Sequence, residues 1–166
     1  LSRDITHKSD VGGVLLDLGS PDEVRVAAVT MLSSIAAKAP SARIDGLVLQ
    51  PMVKRTGAHE LIIGLKEDKV FGSAVLFGAG GVSVEVVADK AVSLPPLDDV
   101  LAGDMIDRTR IGKLLKGYRD QPAANRPAIV DTLMRVAQMA VELPQIVGLD
   151  INPLLADQHG AVALDA

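Results

Sequence analysis

Asp150, Asn152 and Asp165 carry side-chain oxygens in two otherwise apolar runs, Val147–Leu155 and Gly160–Ala166, joined through a short Asp-Gln-His-Gly turn. Alternate residues of an extended strand share a face, so Asp150 and Asn152 project together while Ile151 points the other way. Asp165 stands near the end of the second run, between Leu164 and Ala166. If the runs pair as a hairpin, oxygens from both strands converge, and convergent oxygens on a rigid sheet suit a hard cation such as Mg²⁺. The same residues also fit plain solvent-facing strand positions ahead of a bulge at Pro153, and the spacing alone leaves both readings open.

Other residues offer chemistry of a different kind. FGAGG (Phe77–Gly81) joins two apolar runs, and its bare backbone at Gly78, Gly80 and Gly81 can cradle an anion or simply make a tight turn. It matches neither the dinucleotide fingerprint nor the P-loop pattern. In HKSDVGGV, His7 titrates near neutrality and can accept a phosphoryl group or carry a proton. Lys8 can offset phosphate charge. Both also fit a solvated loop. His59 and His159 read as surface residues. Glu60 and Glu85 each interrupt an apolar strand, facing either solvent or a polar cleft. Arg108, Arg110, Lys113, Lys116 and Arg119 form a basic run that suits a solvated face or a phosphate-rich ligand.

Composition limits what these residues can belong to. The chain has 166 residues, enough for one domain or two small lobes, and 48% of them are hydrophobic. A net charge of −4 leaves no basic footprint, and Phe71, Phe77 and Tyr118 are the only aromatics, so a nucleic-acid partner is disfavoured. No cysteine is present, which removes disulfides and thiolate zinc sites. No apolar run reaches the length of a membrane span and no signal peptide opens the chain, so a cytoplasmic protein without membrane contact is expected. The start at Leu1 and the stop at Leu164-Asp165-Ala166 read as an excision from a longer polypeptide.

The elements that must hold these groups follow from periodicity. Val11–Leu18 reads as a strand entered through a Gly pair. Ser20, Pro21 and Glu23 then signal a capped helix, Pro21–Lys38, with an apolar stripe at Val24, Ala28, Met31 and Ile35. Four close-spaced strands are expected at Gly46–Val53, His59–Leu65, Ser73–Gly78 and Val82–Val87, as neighbours in one antiparallel sheet. Two short helices follow at about Asp98–Arg108 and Arg110–Lys116. Asn125 caps a longer one with its stripe at Ile129, Leu133, Val136 and Ala140, and the terminal hairpin closes the chain. Strands, then helices, then strands predict an α+β layered domain.

In chain order, HKSDVGGV, VLQPMV, the strand start Gly57–Glu60, the Phe71-Gly72 and FGAGG stretches, GLDINPL and ALDA resemble one family across residues 4–166. They look like the ATP-grasp part of ADP-forming acyl-CoA (acetyl-CoA) synthetases. The same part occurs in synthetase-like protein lysine acetyltransferases that carry a GNAT domain. The resemblance implies an α+β ATP-grasp fold, an antiparallel sheet packed with helices. It would form a single partial domain, with about residues 1–48 left from the small lobe and about 49–166 as the C-terminal lobe.

The resemblance also assigns roles. Asn152 and Asp165 would hold the Mg²⁺ that bridges nucleotide phosphates, with Asp150 as a supporting acid. Gln50, Pro51, Met52 and Val53 resemble the hinge whose backbone pairs with adenine, and Glu60 the acid entering the nucleotide cleft. Gly12 and Gly13 look like part of a flap over the phosphates, with Lys8 beside it. Gly78, Gly80 and Gly81 would form a phosphate or partner loop, and His7 would lie near the transferred phosphoryl group. The implied reaction is phosphoryl transfer between ATP/ADP and a phosphohistidine, as acyl-CoA, ADP and phosphate become a carboxylic acid, CoA and ATP. The implied partner is the CoA-binding part of the same enzyme, in the same chain or a separate subunit, within an oligomeric assembly. The alternative is a regulatory or structural module of an acetyltransferase; the intact Asp150-x-Asn152-Pro153 and Asp165 favour catalysis. The chain departs from the family pattern at Asp68–Ser73, where two prolines are lost. The family's phosphate-contacting lysine would fall upstream of Leu1, so this chain alone is expected to fold without turning over substrate.

Overall fold

Alternation along His59–Asp68 (β1) sets the architecture of the larger unit: Leu61, Ile63 and Leu65 are buried, while Glu60 and Lys66 are exposed. A strand with this period-two pattern packs one face and leaves the other open. The computed structural model describes residues 1–5, 8–81 and 89–166. They divide into two units, Leu1–Lys54 and Arg55–Ala166.

The second unit is built on a five-stranded antiparallel sheet. Gly72–Ala79 (β2) pairs with β1 on one side, and Gly148–Asp157 (β4) on the other. Lys90–Ser93 (β3) and Gly160–Ala163 (β5) form the edges, giving the order β3-β2-β1-β4-β5. The packed face presents Leu61, Ile63, Leu65, Val75, Phe77, Ala91, Ile151, Leu154 and Ala156 to the core. Against them lie Ala102, Met105 and Ile106 of one helix, Asp99–Asp107 (α2), and Ile129, Leu133, Val136, Ala137 and Ala140 of another, Arg126–Glu142 (α4). The expected α4 stripe is therefore all core. Each of the larger side chains among them contributes about 1.5–3 kcal/mol by leaving water. The short helix Arg110–Leu114 (α3) lies between them in sequence. The α+β class and its sheet-and-helix packing match the expectation.

Capping follows the sequence signals. Asn125 accepts the N–H of Ala128, Asp98 that of Leu101 and Thr109 that of Gly112. In the first unit, Ser20 caps Pro21–Lys38 (α1) by accepting the N–H of Glu23. Glu23 reaches back as expected of a capping box, but its carboxylate accepts the N–H of Gly19 rather than that of Ser20. The α1 stripe closes on Ile35, the buried residue of that helix.

Two strand expectations need correction. Val11–Leu18 and Gly46–Val53 are not strands, because neither has a ladder partner among the described residues, and extended apolar sequence without one forms no sheet. The sheet neighbour of β1 on that side is instead the terminal hairpin. Lys90–Ser93 supplies an edge strand that periodicity did not mark. The expected strand Val82–Val87, with Glu85, lies outside the described residues.

Candidate functional site

β1 and β4 pair with a shift: Leu61 faces Leu154, but Ile63 faces Ile151, so Asn152 and Pro153 together oppose Ile62. That is the β-bulge foreseen at Pro153, and a bulge turns a side chain away from its regular direction. On the other side of β4 the ladder to β5 runs from the Asp157–Gly160 pair to the Leu154–Ala163 pair. Two residues further, the N–H of Asn152 donates to the carbonyl of Asp165 at 3.2 Å, and Leu164 donates to the carbonyl of Pro153 at 3.0 Å. Asn152 and Asp165 thus stand opposite one another in register. Asp150 sits one pleat earlier on β4, exposed and opposite Gly64.

The glycine loop after β2 reaches the same place. Gly80 lies flat on β1: its N–H donates to the carbonyl of Glu60 at 2.8 Å, and a Cβ there would come within 2.5 Å of the Leu61 carbonyl oxygen. Gly81, at φ +71°, donates its N–H to Oδ1 of Asn152 at 3.2 Å, and the Glu60 carboxylate occupies the space a Cβ would need. Only glycine meets both demands, a left-handed backbone and contact with a carboxylate. Gly78 is different, since it belongs to the ladder, opposite Ile62 and Lys90.

Glu60, Gly80, Gly81, Asn152 and the Asp165 backbone therefore meet on the face of the sheet away from the helices. The N–H groups of Gly80 and Gly81 are both used within the chain. An amide oxygen has two lone pairs, so Asn152 Oδ1 can take the Gly81 N–H and still face a cation. Among the described residues no group of three or more His, Asp or Glu side chains is gathered to cage a metal. Side-chain oxygens of Asn152 and Asp165 are donors of the kind Mg²⁺ takes, with the rest of its shell from phosphates and water.

The remaining candidates lie in the first unit. Gly12 and Gly13 close a 3₁₀ turn, Lys8–Val11, by donating to the carbonyls of Ser9 and Lys8 at 3.1 and 2.7 Å. Ser34 of α1 holds the turn through the Val11 carbonyl at 3.0 Å. Gln50, Pro51 and Met52 are exposed and Val53 half-buried, and Lys54 next to them pairs with Asp17 at 2.5 Å. His7 lies outside the described residues.

Two features depart from the sequence reading. His59, expected at the surface, is half-buried, and burial pushes its imidazole below its ordinary range. Asp157 is the second: its Oδ1 accepts from the N–H of His159 at 2.8 Å, the N–H of Gly160 at 3.1 Å and Nη1 of Arg55 at 2.8 Å. Desolvation acts most strongly on Asp157 and raises it, but the turn amides and the Arg55 and His159 charges outweigh that and leave the carboxyl below its usual value. The Asp-x-x-Gly spelling of this turn was the available signal. Two of the five charges in the basic run are paired locally, Arg108 with Asp104 and Lys116 with Asp107.

The sequence model of the ATP-grasp domain family matches residues 1–166. Over 166 residues the chain is 34% identical to the beta subunit of ADP-forming acetate–CoA ligase I of Pyrococcus furiosus, covering all of this chain and 71% of that subunit. It is 37% identical to ADP-forming acetate–CoA ligase I of Archaeoglobus fulgidus, covering 99% of this chain but only 24% of that protein. Among solved structures, acetyl-coenzyme A synthetase 1 of Ca. Korarchaeum cryptofilum, in complex with coenzyme A and Mg-AMPPCP, superposes with a TM-score of 0.83. That protein is 36% identical, with 99% of this chain and 71% of that chain covered, and its phosphohistidine segment points towards the nucleotide binding site. No helix among the described residues is long and apolar enough to cross a membrane.

Proposed function

Because this chain belongs to the ATP-grasp family, as a homologue of the ADP-forming acetate–CoA ligases, we propose that it binds ATP or ADP with Mg²⁺ on the open face of the sheet, between Glu60, Gly81, Asn152 and Asp165. One observation carries this reading: Asn152 is joined at once to the glycine loop through Gly81 and to the end of the hairpin through Asp165. The glycine loop and the terminal hairpin, far apart in sequence, are brought to one oxygen-rich point by a bulge and a pair of glycines, an arrangement that core packing does not require.

On this reading Asn152 and Asp165 supply the protein ligands, and Asp150 adds negative charge one pleat away. Mg²⁺, when bound, neutralises charge on the phosphates during phosphoryl transfer. Glu60 and Gly81 border the phosphates, and the Gly81 N–H holds Asn152 Oδ1 in place. Gln50–Val53 offers backbone groups to the base, Gly12–Gly13 and Lys8 belong to the phosphate flap, and His7 lies near the transferred phosphoryl group. About residues 1–48 are then what is left of the smaller lobe and about 49–166 the larger.

The activity of the whole protein would be acid–thiol ligation with ADP formation, or its reverse. A CoA-binding part, in the same chain or a separate subunit, would present the phosphohistidine. The beta-subunit relative and the Mg-AMPPCP complex support this reading. Calorimetric titration of the full-length protein with ADP, with and without Mg²⁺, tests it. Saturable binding that Mg²⁺ strengthens is expected; heats indistinguishable from dilution in both conditions would reject it.

A further inference from the structure

The four residues of β5, Gly160-Ala161-Val162-Ala163, form an edge strand of small side chains paired on one side by β4. A one-residue slip of a strand moves every side chain to the other face, and register is weakly specified where the two faces differ little in bulk. Here a slip would remove Asp165 from its place opposite Asn152. Something other than side-chain packing has to hold the register, and in a hairpin that is the turn.

Arg55 grips both ends of that turn. Its Nη1 donates to Asp157 Oδ1 at 2.8 Å and to the Gly160 carbonyl at 3.3 Å. The same carboxylate oxygen takes the N–H groups of His159 and Gly160. The pair is well covered, with side-chain exposures of 28% for Arg55 and 16% for Asp157, and a covered charge-assisted hydrogen bond is worth more than a surface ion pair. The N–H of Asn125 also donates to the Asp157 carbonyl at 2.8 Å, fixing this end of β4 to the start of α4.

We propose that Arg55 is a positioning residue: by clamping Asp157 to Gly160 it locks the register of β5 and so keeps Asp165 opposite Asn152. The inference rests on the nucleotide–metal reading above and adds to it a residue that touches neither nucleotide nor metal. Arg55→Ala would lengthen the excursions of β5 out of register, and the effect would reach the far end of the hairpin.

The test measures ADP affinity of the full-length protein with and without Mg²⁺ for wild type, Arg55→Ala, Arg55→Lys and Asp157→Asn, together with amide exchange at Asn152 and Leu164. Arg55→Ala is expected to weaken Mg²⁺-supported binding about tenfold while leaving metal-free binding within about twofold. Exchange at both amides should quicken. Arg55→Lys, which keeps a charged donor, should recover part of the loss. Asp157→Asn keeps an acceptor for the turn amides and guards against a simple failure to fold; it should show the same metal-specific loss. If the variants lose metal-free and Mg²⁺-supported binding equally, or lose neither, the inference is wrong. If wild type itself binds no Mg-ADP, the nucleotide reading fails and takes this inference with it.

Discussion

The N–H of Gly81 donates to Oδ1 of Asn152 across 3.2 Å, although the two residues are 71 positions apart. This contact ties the loop after β2 to the bulge of β4, crossing β1 on the way. It depends on Gly80 resting on the Leu61 backbone and on Gly81 adopting a conformation that other residues enter at a cost.

Gly80→Ala should therefore destabilise the protein through β1 itself. Its new Cβ would meet the O, C and N atoms of Leu61, none of which can swing aside. Overpacking of this kind costs about 1–3 kcal/mol, and each kcal/mol lowers Tm by roughly 2–4 °C at this chain length. Thermal unfolding of the variant measures it, and an unchanged Tm would show that the loop can lift off β1 freely.

Asp165→Asn separates chemistry from folding. Asp165 is exposed, and the contact to Asn152 runs through its backbone carbonyl, which the substitution keeps. The substitution also keeps the side chain's size and one acceptor oxygen, so any loss in Tm should be small beside the loss of turnover. Mg-nucleotide turnover of the full-length protein should fall at least about a hundredfold, the scale of losing one charge-stabilising group. Normal turnover with normal Mg²⁺ dependence would remove Asp165 from the site.

Two branched aliphatic positions on α4 should behave differently. Leu133 is completely buried and Val141 is 56% exposed on the same helix. Leu133→Ala should cost about 2–5 kcal/mol, whereas Val141→Ala should stay within about 0.5 kcal/mol. Urea unfolding of both variants decides whether the α4 stripe faces the core as described.

His59 gives the stability curve a feature on the acid side. Burial lowers its folded-state value, so between that value and the ordinary one of about 6.5 the unfolded chain holds a proton that the folded chain lacks. Stability then rises with pH across this window and is lost as pH falls through it. His59→Gln should flatten this part of the curve and leave the loss at lower pH, where carboxylates such as Asp157 protonate. The same slope in wild type and variant would exclude His59 as its source.

Legibility in the sequence tracks the range of the interaction. The α4 stripe and the β1 alternation were readable because a helix and a half-buried strand each impose a local period. Asn152 and Asp165 were readable as a pair because a short turn joins their strands. Val11–Leu18 and Gly46–Val53 carry strand-like composition, but composition does not supply the partner a ladder needs. Lys90–Ser93 is too short for its alternation to stand out. The crossing of Gly80–Gly81 onto Asn152 and the grip of Arg55 on Asp157, 102 residues away, are tertiary contacts with no periodic trace. The glycines and the Asp-x-x-Gly turn marked where such contacts could occur without saying what they would touch.

The central claim is that Asn152 and Asp165 together hold a nucleotide-bound cation. A crystal of the full-length protein grown with Mn²⁺ and a non-hydrolysable ATP analogue, measured at the manganese absorption edge, locates that ion without reference to any assumed site. The account predicts an anomalous peak about 2.0–2.3 Å from side-chain oxygens of both Asn152 and Asp165, completed by phosphate and water oxygens. Nucleotide bound with its manganese beyond reach of both residues would contradict it.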